Sequence, residues 1–339
     1  MNRFRFNPYT LELRHQFTLA GSSRSTTPVM LVEIECDEVI GYGEASMPPY
    51  LGESHATAIA FLSRIDFTQY PDLSLLEDIL KDIDGLAPGN YAAKAAVDIA
   101  LHDWVGKKIG RAWHQIWGLN PERTLPTSFT IGMEQDSEIL RRKVKEAEQF
   151  RILKVKLGGE NDREIIQSIR TMTDKPIRVD VNQGWKNKND ALRMTEWLAP
   201  KGVELVEQPL AKDSIDDHAW LTERSPIPII ADESVRRLPD IMKARGAYHG
   251  INIKLMKCTG MREAHTMVLL AKALGMKVMV GCMTETSCGI SAAAQLVPLA
   301  DYADLDGALL IRNDPFTGAT IDHGLVTIPR GPGIGAATV

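Results

Sequence analysis

Residues 151–159 read RILKVKLGG, an apolar run in which only Val155 separates Lys154 from Lys156. In an extended strand alternate residues share a face. Both ammonium groups therefore point the same way, while Ile152, Leu153, Val155 and Leu157 supply the apolar character. Two like charges side by side are unfavourable unless something negative faces them. The plain alternative is an edge strand wetted by lysines, a common means of blunting an edge. The rest of the chain chooses between the two.

Seven further runs of the same kind surround this one: LPTSFTIG, IRVDVNQG, VELVEQPL, IPIIADES, GINIKLMK, KVMVGCMT and YADLDGAL. Each is bounded by polar residues or glycine, and helix-length segments lie between them. Measured at the run ends, from Lys156 through Asp180, Glu207, Asp232, Lys254 and Cys282 to Asp306, the spacing stays within 22 to 28 residues. A buried strand plus a helix at such a period is the signature of a (β/α)8-type barrel. An open doubly wound sheet alternates similarly, but it would bring a GxGxxG after its first strand, and there is none.

The composition, 339 residues with 44% hydrophobic and 24% charged, is that of a soluble chain with a sizeable core. Upstream of the periodic region, TPVMLVEIECDEVIGYGEAS (27–46) reads as a hairpin region turning at Gly41 and Gly43. NYAAKAAVDIALHDWVGKKIG (90–110) reads as a helix whose stripe of Ala92, Ala96, Ile99, Ala100 and Val105 is ended by Gly106 and Gly110. The expectation is an α+β capping domain over 1–118, a barrel over 119–311, and a tail from about 312 to 339 packing back on the cap. A net charge of −5, with no basic run interleaved with aromatics, argues against nucleic acid as a partner. No uncharged apolar run approaches the length of a membrane span. Cys36, Cys258, Cys282 and Cys288 form no CxxC pair and read as reduced, buried thiols, so the expected compartment is the cytoplasm.

In a barrel the C-terminal strand ends converge on one mouth, where active sites lie. The residues found at those ends are Lys154, Lys156, Asp180, Glu207, Asp232, Lys254, Asp304 and Asp306. Any one acid could simply cap the following helix, as in ADES (231–234). Capping does not explain three successive strands ending in acids between strands that carry lysines. Three converging carboxylates repel strongly unless a cation joins them. Their ligands are hard oxygens without His or Cys, which favours Mg2+ over zinc, with Mn2+ an acceptable substitute. The neighbouring lysines then face a metal-carboxylate cluster, which accounts for the pairing of Lys154 and Lys156.

KVK, DVN, EQP, ADES and NIK on successive strands, preceded by GYGEA and AAVDIALHDWVGKKIG, resemble the ordered signature of the enolase superfamily in its muconate-lactonizing subgroup. That resemblance implies a modified TIM (β/α)8-type barrel with an α+β N-terminal capping domain. It implies Asp180, Glu207 and Asp232 as Mg2+ ligands and Lys156 and Lys254 as acid/base residues on opposite faces of the substrate. It further implies that Lys154 holds the substrate carboxylate or its enolate. The half-reaction is then removal of a proton α to a carboxylate, where a base near neutrality needs a lysine whose pKa neighbouring cations lower.

The subgroup does not fix the substrate. Asp304 and Asp306 in YADLDGALL (302–310), spaced to project together, are suited to an ammonium group and resemble the pair of the dipeptide epimerases. Arg24, in the loop LAGSSRSTT (19–27), resembles the arginine that meets the glutamate side chain in L-Ala-D/L-Glu epimerases, and GEASMPPYLGES (43–54) would be its companion lid. Thr130, with Thr127 and Ser128, is a weaker substrate contact; Glu285 reads as supporting Lys254 or lining the pocket; His102, His114 and His265 read as packing or surface residues. The expected function is Mg-dependent epimerisation of the second residue of a small dipeptide, with a place in murein peptide recycling implied by resemblance alone. The rivals are an N-acylamino acid racemase, an o-succinylbenzoate synthase or a muconate-type cycloisomerase. From another class comes a non-catalytic metal-dependent peptide binder, against which the second lysine argues. Homo-oligomerisation is left open.

Overall fold

The strand Ile152–Lys156 is buried at every position and hydrogen-bonded along both sides, so its lysines do not wet an edge. The computed structural model describes residues 3–19, 22–132 and 136–339, and among them the side chains other than those of 16–19, 22, 23 and 137.

The first part is an antiparallel sheet of three strands, β1 (Arg3–Leu19), β2 (Ser22–Cys36) and β3 (Val39–Ser46). The β2–β3 turn is made by Asp37 and Glu38, both in the left-handed region at φ 49° and 63°, as a two-residue hairpin demands. The turn expected at Gly41 and Gly43 is therefore corrected. Both glycines lie inside β3, on the face where the helix Tyr91–Ile109 presses against the sheet. A Cβ at Gly43 would stand 1.9 Å from the Ala96 carbonyl oxygen, and one at Gly41 2.1 Å from that of Ala100. Gly106 likewise does not end the helix, because the backbone of Gly333 packs 2.5 Å from where its Cβ would be; Gly110, at φ 69°, supplies the left-handed C-cap. The expected stripe understates this helix, which is buried almost all round. Its Asp98 carboxylate accepts the Met261 and Arg262 N–H groups and so ties the cap to the barrel.

Eight parallel strands follow: β4 (Ser128–Ile131), β5 (Ile152–Lys156), β6 (Ile177–Asp180), β7 (Val203–Glu207), β8 (Ile229–Ala231), β9 (Gly250–Lys254), β10 (Lys277–Gly281) and β11 (Tyr302–Asp304). They pair in sequence order. The ring is closed by a parallel bridge from Thr127 to Ala303 and by the Leu305 N–H donating to Thr127 Oγ1 at 2.7 Å. All eight strands lie within the runs marked in the sequence, and the fold is the modified (β/α)8 barrel with an α+β cap.

Register decides which residues meet inside. Thr130 pairs with Lys154, Lys156 with Asp180, Asp180 with Glu207, Gly281 with Lys254, and Gly281 with Asp304. Beneath this polar layer, Leu205, Ile230 and Met279 fill the bore, and Arg178 crosses it to the Ala303 carbonyl at 2.8 Å. Gly281 lacks a side chain for a stated reason: a Cβ there would sit 2.4 Å from Asn252 Oδ1. Past the barrel, Leu325 bridges to Pro126 and Gly333 to Ala112, so the tail touches both barrel and cap. Among the described residues no helix is long and apolar enough to cross a membrane.

Candidate active site

At the C-terminal mouth of the barrel one carboxylate oxygen each from Asp180, Glu207 and Asp232 lies within 4.8 Å of the others, and all three side chains are buried. The three lysines marked in the sequence close on this cage. Lys154 Nζ stands 3.1 Å from Asp180, 2.7 Å from Glu207 and 2.6 Å from Asp304. Lys156 Nζ donates to Asp180 Oδ2 at 2.6 Å, and Lys254 Nζ to Asp232 Oδ2 at 2.7 Å. The negative group that the opening stretch required is this cage.

The electrostatics follow from burial and proximity. Burial pushes the Asp180 carboxyl up, but the Lys156 and Lys154 ammoniums more than offset it and leave it below the usual range. Asp232 is opposed by burial too, yet Lys254 and Lys257 hold it well below. Glu207 has burial and the repulsion of Asp180 against it, and is pushed up to about 7. The lysines depart from expectation. Burial lowers Lys154 and Lys254, but the carboxylates around them raise both well above the ordinary value. The neighbours that dominate these ammoniums are acids, not the cations that a lowered pKa required.

The donors suit a hard divalent ion. They are carboxylate oxygens alone, and Glu207 Oε2 is buried without a hydrogen bond, the nearby Lys154 ammonium being misaligned for one. Mg2+ would be held by Asp180, Glu207 and Asp232.

Asp232 of the cage lines a cavity of about 300 Å³, into which Arg24, Thr130, Lys156, Lys254, Asp304 and Asp306 also face. Asp304 and Asp306 differ from the expected pair on one strand. Only Asp304 belongs to β11, where it takes Lys154 and Ser128 Oγ, both at 2.6 Å. Asp306 begins the next turn and accepts the Thr130 N–H at 2.7 Å. Burial raises Asp304, but Lys154 brings it down to about 2; Asp306, raised by burial and by Asp304, stands at about 6. Of the pair, Asp306 is the member short of positive charge.

Arg24 lies on β2, not in a loop, and its Nη2 donates to Thr284 Oγ1 at 3.0 Å; residues 20 and 21 of that stretch lie outside the described residues. The lid stretch brings Tyr50 to the cavity, its hydroxyl 2.6 Å from Met283 Sδ. Thr127 is spent on barrel closure, and Ser128 on Asp304. Glu285 is buried, accepts the Met283 N–H at 2.7 Å, and is pushed up to about 8 by burial and by Glu44. His102 and His114 are buried and His265 stacks on Trp117, all as packing groups. Cys258 and Cys288 are buried thiols; Cys36 and Cys282 are only half-buried, and Cys282 faces the cavity.

Supporting residues were missed by sequence reasoning. Lys257 donates to Asp232 Oδ1 at 2.5 Å and to three backbone carbonyls, and Asn252 donates to Glu207 Oε1 at 2.8 Å. Gln208 holds the Asp232 and Ser234 N–H groups at 3.0 and 3.1 Å. Each stands within three residues of a marked position, inside EQP or NIKLMK, and that adjacency was the available signal.

Gln208 leads to a testable point. Its side-chain nitrogen is 3.4 Å from Nε2 of His218, a buried ring whose Nδ1 is 2.9 Å from the Ser214 carbonyl. Burial lowers His218 from 6.5 to about 4. Because the folded value is the lower one, its contribution to stability is whole above pH 6.5 and is lost as pH falls towards 4, by about 2–3 kcal/mol at most. In urea titrations at pH 7.5 and 4.5, His218→Gln should be less stable than the unmodified protein at the higher pH and approach it at the lower. A constant difference would refute this.

A capped barrel with a three-carboxylate cage and buried lysines at its mouth defines a metal-dependent enzyme of the enolase type. The chain belongs to that family: residues 138–338 match the family profile described as enolase C-terminal domain-like, and residues 6–118 match the N-terminal domain of mandelate racemase / muconate lactonizing enzyme. It is 57% identical, over 98% of its length and 87% of the relative's, to the L-Ala-D/L-Glu epimerase of Bacteroides thetaiotaomicron. Its fold matches the substrate-liganded L-Ala-D/L-Glu epimerase of Bacillus subtilis with a TM-score of 0.93 at 31% identity, covering 99% and 98% of the two chains. A dipeptide epimerase of Enterococcus faecalis, solved with Mg and L-Leu-L-Tyr, matches with a TM-score of 0.90 at 30% identity, covering 98% of each.

Proposed function

We propose that this protein is a Mg2+-dependent dipeptide epimerase that inverts the α-carbon of the second residue of L-Ala-D/L-Glu. The observation that carries the reading is the placement of two buried lysines beside one acid cage. Lys156 on β5 and Lys254 on β9 stand four strands apart in an eight-stranded ring, hence on opposite sides of the mouth.

In this reading, one lysine removes the α-proton and the other returns a proton to the opposite face, which inverts the centre. Lys154 meets negative charge as it moves onto the substrate carboxylate. Asp180, Glu207 and Asp232 would hold the Mg2+ ion, which would supply further positive charge to stabilise the enediolate and would weaken the hold of these acids on the lysines. Asp304 and Asp306 take the α-ammonium of the first residue, for which the shortage of positive charge at Asp306 suits the pair. That pair also disfavours the N-acylamino acid racemase and cycloisomerase readings, since an uncharged nitrogen would leave the acids poorly matched. Arg24 takes the glutamate carboxylate from the cap side. A place in murein peptide metabolism in the cytoplasm follows from resemblance.

With Mg2+ and L-Ala-L-Glu in D2O, proton NMR should show loss of the glutamate α-hydrogen together with the appearance of L-Ala-D-Glu. Exchange only in dipeptides with apolar or basic second residues would remove Arg24 from its role. Binding without exchange would leave a peptide-binding protein.

A further inference from the structure

The direction of a catalytic lysine is as consequential as its presence. Lys156 Nζ has two side-chain acceptors: Asp180 Oδ2 at 2.6 Å and Asn182 Oδ1 at 3.1 Å. Around a tetrahedral nitrogen this leaves one position free. Lys156 and Asn182 both line the cavity, which the remaining position can serve.

Asn182 is itself held from the far side. Its Nδ2 donates to Glu233 Oε1 at 3.3 Å, and its own N–H donates to Asp180 Oδ1 at 3.0 Å. An ammonium on one side and a carboxylate on the other fix which way round the amide lies: oxygen to the lysine, nitrogen to the acid. The backbone adds an independent observation. Asn182 sits at φ 45°, in the left-handed region, which costs most side chains and which glycine adopts freely. Asparagine tolerates this region better than most residues with a Cβ, so the backbone accepts the amide here at little cost.

We infer that Asn182, fixed by Glu233, is a positioning residue that aims Lys156 at the substrate α-carbon. Among the described residues no counterpart amide is bonded to Lys254, whose side-chain acceptor is Asp232. The inference rests on the two-lysine reading above, and its effects fall on one face of the substrate.

Asn182→Gly keeps the backbone conformation and removes the amide. It should slow inversion about tenfold to a hundredfold with KM little changed. Because the two epimers share a fixed equilibrium, inversion slows equally in both directions, and the discriminating readout is α-hydrogen exchange in D2O measured separately from L-Ala-L-Glu and L-Ala-D-Glu. The epimer whose exchange Lys156→Ala abolishes should lose exchange, while the other exchanges at the unmodified rate. Mn2+ affinity, followed by electron paramagnetic resonance, should be unchanged. Combining Asn182→Asp with Glu233→Gln exchanges amide and carboxylate while keeping an acceptor for Lys156, and should restore most of the lost rate. Equal loss of exchange from both epimers, unaltered inversion or absent rescue would overturn the inference alone. No exchange by the unmodified protein would bring down the underlying reading and the inference with it.

Discussion

Lys156→Ala and Lys254→Ala should each lower the inversion rate by about a thousandfold or more, while each keeps α-hydrogen exchange from one epimer only, a different one in the two variants. Each lysine serves as base towards one epimer and as acid towards the other, so losing either blocks inversion in both directions. The surviving lysine can still remove the proton that faces it and return a deuteron to the same face. The chain carries little other means of compensation. Lys154 lies 3.1 Å from the same Asp180 oxygen, but it is also bound at 2.6 Å to Asp304, on the side assigned to the substrate ammonium. Folding should survive Lys156→Ala because Lys154 continues to neutralise Asp180, and melting curves would check this. Exchange from both epimers in either variant would show that a single group serves both faces. The two-sided mechanism would then be wrong.

Much of this arrangement could be read in the sequence because barrel geometry translates spacing into place. Strands repeating every 22 to 28 residues put their last polar residues at one mouth. Asp180, Glu207 and Asp232 converge as the spacing implied, since parallel pairing sets Asp180 beside Glu207. Features that depend on close approach between distant segments were not legible. Gly41 and Gly43 looked like turn residues because glycine has two uses, and only the helix Tyr91–Ile109 passing over β3 distinguishes them. Arg24 seemed to sit in a loop because serine, threonine and glycine surround it, yet it pairs with Phe17 across the hairpin of β1 and β2 and so lies on a strand. The surroundings of the lysines were not legible for a related reason: sequence order shows Lys154 and Lys156 as neighbours of one another, whereas the fold places an acid within 2.7 Å of Lys154, Lys156 and Lys254. Asn182, Asn252 and Lys257 carry no signal beyond adjacency, since a hydrogen bond across a barrel has no period.

Glu207→Gln should separate what the cage does for stability from what it does for chemistry. Of the three acids, Glu207 is the one that burial and neighbouring charge push up, to about 7, and its Oε2 lacks a hydrogen bond. An amide of the same shape still accepts from Asn252, which now donates to Oε1 at 2.8 Å, and it removes one of three like charges that lie within 4.8 Å. In chelator, the variant should therefore melt at the same temperature as the unmodified protein or above it, because repulsion inside a buried cage falls. Added Mg2+ should act unequally on the two proteins. A ligand that binds only the folded state stabilises it by mass action, so the unmodified protein should gain melting temperature as Mg2+ rises. The variant has two carboxylates in place of three and should gain far less, with a dissociation constant raised at least about a hundredfold and no detectable epimerisation. A variant that is much less stable in chelator would mean that the Glu207 charge is needed by Lys154 for folding, at 2.7 Å, and not for the metal. Unchanged stabilisation by Mg2+ would mean that the ion binds elsewhere, and the three acids would have to be explained without it.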